Sequence, residues 1–201
     1  MCEFESKLCM IKLNIPNETS RLRAVVLGTA ESNGPIPKIE DCYDPKSIEH
    51  ILAGTYPAET AMVQEMDAVL KVFKKYNVEV YRPEVIKNCN QIFSRDIAFV
   101  IDDIMIEANI LPHREKEVHA IDYIWNQVAK DKRIILPEAC HVEGGDVMPW
   151  NDYIFMGTYS GSDYPELITA RTNIQAVKAI QDLFPNKKVK AFELRKSNTD
   201  P

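Results

Sequence analysis

A chain of 201 residues, 45% apolar and 27% charged, has the composition of one water-soluble domain long enough to bury a sizeable core. Its formal charge of −6, with no basic block set against it, argues against nucleic-acid binding and weakly suits a cationic small ligand. No apolar run reaches the length of a bilayer span and no signal peptide opens the chain, so the sequence reads as cytoplasmic with no membrane partner.

Residues 1–20 read as an N-terminal extension and lead-in, with Met10 a candidate start, and residues 21–201 as a single domain. Arg21–Gly28 (RLRAVVLG) is a buried strand stopped by glycine. The next stretch, TAESNGPIPKIEDCYDP, predicts a long loop of the kind that often carries function. Between Thr60 and Tyr76, residues Met62, Met66, Val69, Leu70 and Phe73 recur at helical spacing, and Val78–Pro83 is a strand ended by proline. Ile97–Asn109 reads as two strands meeting at Asp102-Asp103. A helix with Val118, Ile121, Trp125 and Val128 on one face follows, then the strand Arg133–Pro137. A third pass gives the strand Tyr153–Gly157, a helix from Asn173 to Phe184 and the strand Lys188–Leu194. Three strand–helix–strand units of similar size point to a modular α/β fold, and a doubly wound parallel sheet gives the same pattern at this level. The last strand is followed only by turn-forming residues, which reads as a fold cut short.

Five cysteines, Cys2, Cys9, Cys42, Cys89 and Cys140, are odd in number, widely spaced and free of a CxxC pair. They read as reduced, mostly buried thiols, and no metal, nucleotide or flavin site is indicated, so no cofactor is expected. Four other stretches hold residues able to do chemistry: Arg95-Asp96 before a strand, Arg114 and Glu117 opening a helix, the run CHVEGGDVMPW from Cys140 to Trp150, and Arg171-Thr172-Asn173 at a helix start. Each has a plain structural explanation. Arg95-Asp96 makes a surface ion pair, Arg114 and Glu117 a solvated i,i+3 pair, EGGD a tight turn, and Thr172 or Asn173 a helix cap.

Taken in order, RD, RxxE, EGGD and RTN resemble the guanidine-modifying enzyme (pentein) superfamily, which includes amidinotransferases, arginine deiminases and dimethylarginine dimethylaminohydrolases. The resemblance runs from about Arg21 to the end, and Glu143–Val147 and Arg171–Asn173 are its most specific pieces. It implies a propeller-like α/β ring of ββαβ units about a pseudo-fivefold axis, here incomplete, with three units of five. It implies a small guanidino substrate such as arginine. Asp96 is then a guanidinium-binding carboxylate, Glu143 the catalytic carboxylate of EGGD that holds the guanidinium or orients the histidine, Asp146 a substrate-side acid that supports the same turn or accepts from behind it, and Arg171 the binder of a substrate carboxylate. Gly144 and Gly145 leave the pocket open or permit unusual backbone angles. Arg114 and Glu117 match a position read as structural.

The implied reaction begins with a cysteine thiolate attacking the guanidinium carbon while a histidine protonates the leaving amine. An amine or water then resolves the amidino-cysteine intermediate. Here the sequence departs from the pattern. None of His50, His113, His119 and His141 lies in an H-x-D motif, and no cysteine lies near the C-terminus. His141 reads as a strand-end or core histidine, and Cys140 as a poor candidate nucleophile. An insertion between Gly157 and Arg171 widens a turn that is short in the family. The spacing and the REKE helix lean towards an amidinotransferase. The alternatives are a hydrolase of the same family, a non-catalytic member binding a cationic ligand, and a generic α/β domain in which Asp96, Glu143 and Arg171 share no cleft. Residues 1–201 alone are expected to be inactive, and marginally stable or self-associating as a homo-oligomer.

Overall fold

The structure, a computed structural model, describes residues 10–42, 44–161 and 171–194. In chain order, the strand β1 (Ala24–Val26) leads through a loop to α1 (Pro45–Leu52) and α2 (Glu59–Lys75), and β2 (Glu79–Tyr81) returns parallel to β1. The chain then passes α3 (Ser94–Ile97), β3 (Ala98–Ile101), β4 (Ile104–Glu107), α4 (Lys116–His119), α5 (Asp122–Trp125) and β5 (Arg133–Ile135). A one-turn 3-10 helix, Gly144–Asp146, precedes β6 (Val147–Trp150), β7 (Tyr153–Thr158), α6 (Ile174–Leu183) and β8 (Lys188–Glu193).

These strands form three small sheets, β1-β2, β3-β4-β5 and β6-β7-β8. In the second and third, an antiparallel hairpin is followed by a parallel third strand, the order of a ββαβ unit. The first sheet has only the parallel pair among the described residues. Both hairpins close through two residues, Asp102-Asp103 and Asn151-Asp152, with Asp102 (φ 52°) and Asn151 (φ 52°) in the left-handed region that short polar side chains tolerate. The modular reading of the sequence is thus visible in the backbone, which adds a second hairpin, β6-β7, where the sequence predicts only the strand Tyr153–Gly157.

The unbroken apolar run of β3 and β4 follows from burial on both faces. Phe99, Ile101 and Ile106 enter one core with Val142, Val147, Ile154, Met156, Val177 and Ile180. Ile97 and Met105 enter another with Val118, Ile121, Ile124 and Val128. The single helix expected over this last set is broken into α4 and α5. The residues still share a face because 118, 121 and 124 are spaced by three, and the backbone makes bonds of that length, as from Ile121 N to Val118 O and from Ile124 N to Ile121 O.

The lead-in crosses both hairpin turns. Ile15 exchanges backbone hydrogen bonds with Asp102 (2.7 and 2.9 Å), and Asn151 N donates to Pro16 O (2.7 Å). No helix among the described residues is long and apolar enough to cross a membrane.

Candidate functional site

The site is built where α3, the EGGD turn and the start of α6 meet. Ile97 anchors α3 in the core and Ser94 Oγ donates to Val26 O (2.8 Å), which ties the short helix to the end of β1. Against it lies the Gly144–Asp146 turn, in close contact. A Cβ on Gly144 would stand 2.2 Å from the backbone oxygen of Arg95, and one on Gly145 would stand 2.8 Å from Asp96 Oδ1. Neither glycine has a positive φ. The pair is required for close approach of two backbones and of Asp96, and the unusual backbone angles allowed for in the sequence are not used.

At the centre is a guanidinium belonging to the chain itself. Arg114, with its side chain 7% exposed, donates from Nε and Nη2 to the two oxygens of Glu117 (2.9 Å each) and from Nη1 to Asp96 Oδ2 (2.8 Å). Burial works against its charge, but the hydrogen bonds to Glu117 and Asp96 outweigh it and hold its pKa above the ordinary arginine value. Far from a solvated surface pair, Arg114 and Glu117 are two of the few buried charged residues.

Glu143 is buried beside them. Its Oε2 accepts from Arg171 Nη1 (3.2 Å), while Oε1 accepts no hydrogen bond among the described residues and stands 3.5 Å from Arg114 Nη1. Burial pushes its pKa up; Arg171 pulls it back and Asp96 pushes it further. Asp96 Oδ1 also takes no hydrogen bond among the described residues. Asp146 accepts from the Thr172 hydroxyl, and Thr172 Oγ1 accepts from Glu143 N (3.2 Å), so one threonine links both acids of the motif. Burial raises the Asp146 pKa, and the Thr172 hydrogen bond opposes the rise.

Each residue of RTN therefore has a separate partner. Arg171 holds Glu143, Thr172 holds the turn, and Asn173 caps α6 by accepting from Ala176 N (3.0 Å) and donating to Ala139 O (2.9 Å). A cleft of about 320 Å³ opens at this point, lined by His141, Ser160, Gly161, Arg171, Asn173 and Gln175 among others. The Gly157–Arg171 insertion falls largely outside the described residues, as do Cys2 and Cys9.

Asp96, Glu143, Asp146 and Arg171 thus converge. The sequence did not reveal that Arg114 and Glu117 stand among them, nor that Thr172 joins the two acids. The i,i+3 spacing of Arg114 and Glu117 permits an ion pair without showing whether it is buried. His141 is exposed, while Val142 and Glu143 are both buried, so the histidine and Glu143 do not share a face as strand alternation would require. Cys140 belongs to the core. Burial, then the nearby Glu117, pushes the Cys89 thiol up; burial, then Asp44 and Asp41, does the same at Cys42. These are thiols held protonated, the opposite of an activated nucleophile.

No family model and no curated protein matches the sequence. Solved structures do match. An amidinotransferase from Microseira wollei, of the saxitoxin biosynthetic pathway, superposes with a TM-score of 0.68 at 16% identity over 92% of this chain and 64% of its own. The inosamine-phosphate amidinotransferase from Streptomyces griseus gives 0.64 at 12% identity, over 96% and 65%. A dimethylarginine dimethylaminohydrolase from Pseudomonas aeruginosa, complexed with citrulline, gives 0.62 at 14% identity, over 88% and 62%. The chain spans less than two thirds of the length of each. It has the fold of the guanidine-modifying enzymes, the pentein superfamily that its RD, EGGD and RTN motifs resemble.

Proposed function

We propose that this chain carries the guanidinium-holding acids of a cysteine-dependent enzyme acting on arginine or a similar guanidino substrate, with amidino transfer as the reaction. The observation that carries the reading is the make-up of the largely buried cluster. Four carboxylates, Asp96, Glu117, Glu143 and Asp146, face two guanidinium groups, Arg114 and Arg171. Among the described residues, Oε1 of Glu143 is buried without a donor, and Asp96 accepts only at Oδ2. A buried acceptor left open is costly, and burying four acids against two guanidinium groups costs more if all are ionised, which is why burial pushes Glu143 and Asp146 towards holding protons. A planar cation with several N–H donors relieves both, and a ligand guanidinium has that shape.

In this reading Asp96 and Glu143 hold the ligand, Asp146 keeps the turn in place through Thr172, and Arg171 both steadies Glu143 and reaches the cleft where a substrate carboxylate would lie. The acids keep the guanidinium carbon electron-poor. A thiolate adds to that carbon, the C–N bond to the departing amine breaks, and an imidazolium proton goes to that amine. An acceptor amine then adds to the amidino-cysteine, its proton passes to the imidazole deprotonated in the first half, and the C–S bond breaks to release the thiolate. The thiolate and imidazolium of this scheme have no candidates among the described cysteines and histidines.

Hydrolysis by water in place of the acceptor amine is the alternative outcome, and the structural neighbours include enzymes named for each reaction. The second reading is a binder of cationic ligands without turnover, favoured by the buried or protonated state of every described cysteine. Titration with L-arginine tests the shared claim. Asp96→Asn and Glu143→Gln are each expected to weaken binding by a factor of ten or more. Equal binding by wild type and both variants would refute it. Release of ornithine from arginine plus glycine indicates transfer, and release of citrulline indicates hydrolysis. Residues 1–201 alone are expected to release neither.

A further inference from the structure

We propose that Arg95 is the positioning residue for Glu143, acting through the EGGD turn and itself steadied by Glu18 of the lead-in. The inference rests on the reading of Glu143 as a ligand-facing acid. Arg95 and Asp96 are neighbours on α3, yet their side chains act at different points of one turn. Asp96 lies beside Gly145 and binds Arg114, whereas Arg95 donates from Nε to Gly144 O (3.0 Å) and from Nη2 to Val147 O (2.7 Å). Those two carbonyls bracket the 3-10 turn that begins just after Glu143.

Gly144 O also accepts the turn's closing hydrogen bond from Val147 N, so Arg95 reinforces the bond that defines the turn. Only a fork of N–H donors reaches both carbonyls and a carboxylate at once; a lysine ammonium has no such geometry. The carboxylate is that of Glu18, which accepts from Nη1 (3.2 Å) and Nη2 (2.7 Å). As an exposed pair it contributes little stability by itself. It orients the guanidinium, and Glu18 is held in turn because the lead-in is bonded to Asp102 and Asn151. The RD pair and the GGD run are thus one device: the glycines let α3 touch the turn, and Arg95 locks it there.

The test uses residues 1–201 labelled with ¹³C at the glutamate carboxyl carbons, with the Glu143 signal assigned by Glu143→Gln. Its titration is followed by NMR, and no ligand is needed. Arg171, Asp96 and Arg114 set the field at Glu143 and are unchanged in every variant. Arg95→Met keeps the aliphatic stem but removes the donors. The turn loosens, water reaches Glu143, and its midpoint is expected to fall towards the ordinary glutamate value by about half a pH unit or more. Arg95→Lys is expected to recover only part of the shift, and Glu18→Gln to move the midpoint the same way by less.

A folded Arg95→Met whose midpoint is unchanged, even with a lower melting temperature, would make Arg95 a purely structural residue and overturn the proposal. Should Arg95→Met fail to fold, Glu18→Gln decides: a downward shift supports the proposal and an unmoved midpoint overturns it. A wild-type chain that does not bind arginine would remove the guanidinium reading while leaving this titration to judge Arg95 by itself.

Discussion

Arg114 joins two elements through two carboxylates, and its removal would strand both in a site with little water. Arg114→Met is therefore expected to cost about 3–5 kcal/mol in denaturant unfolding. Glu143 behaves in the opposite sense. Its folded pKa is raised, so the folded state holds its proton more tightly than the unfolded chain does. The stabilisation from the protonated form is present below the ordinary glutamate value and is lost as pH rises through the raised value. Glu143→Gln should consequently gain stability relative to wild type as pH rises from the ordinary glutamate value through the raised one, while losing ligand binding. A difference between the two melting curves that does not change with pH would contradict the raised pKa. At this scale the acids and Arg171 were legible because RD, EGGD and RTN place them. The partner of each was not, since a motif names a residue without giving its burial. Arg114 illustrates the gap: its spacing to Glu117 is the same on a wet helix and in a dry core.

The EGGD turn and α6 are the elements that hold the site, and each depends on one local choice. At Gly144 the added methyl group of alanine would meet the backbone of α3, which cannot give way cheaply. Gly144→Ala is expected to lose about 2–4 kcal/mol, whereas Gly145→Ala meets only the end of the Asp96 side chain and should lose less stability while displacing that acid. Comparison of their unfolding curves checks the order. Asn173→Ala removes the cap of α6, at a cost of about 1 kcal/mol. Period made α2 and α6 legible and Asp102-Asp103 marked the first hairpin, and the expected strands agree to within a few residues; β6 and its hairpin with β7 were not legible, since Val147–Trp150 reads only as part of the EGGD stretch. The helix expected over Val118–Val128 failed for a physical reason. Apolar residues three apart keep a common face in tight turns as well as in a helix, so hydrophobic spacing alone does not separate the two.

Across the whole molecule, apolar cover is uneven. No residue of the 17-residue helix α2 is fully buried, Val72 is 52% exposed, and Phe192 of β8 is 53% exposed. Surfaces of this kind promote association. Purified residues 1–201 are expected to sediment as a concentration-dependent mixture, and Val72→Lys with Phe192→Lys to shift it towards monomer without lowering the melting temperature. A sharp, concentration-independent monomer in wild type would contradict this. The modular α/β class was legible from the repeat. That the first sheet shows only a parallel pair among the described residues was not, because the described lead-in bonds instead to the turns of the other two sheets and to Gln127.

The most direct test of the guanidinium-holding cluster is calorimetric titration of residues 1–201 with L-arginine and with L-citrulline, which replaces the guanidinium by a neutral urea of nearly the same shape. Preference for arginine by a factor of ten or more, abolished in Glu143→Gln, is the expected result. Equal affinity for the two ligands, or no binding of arginine at all, would contradict it.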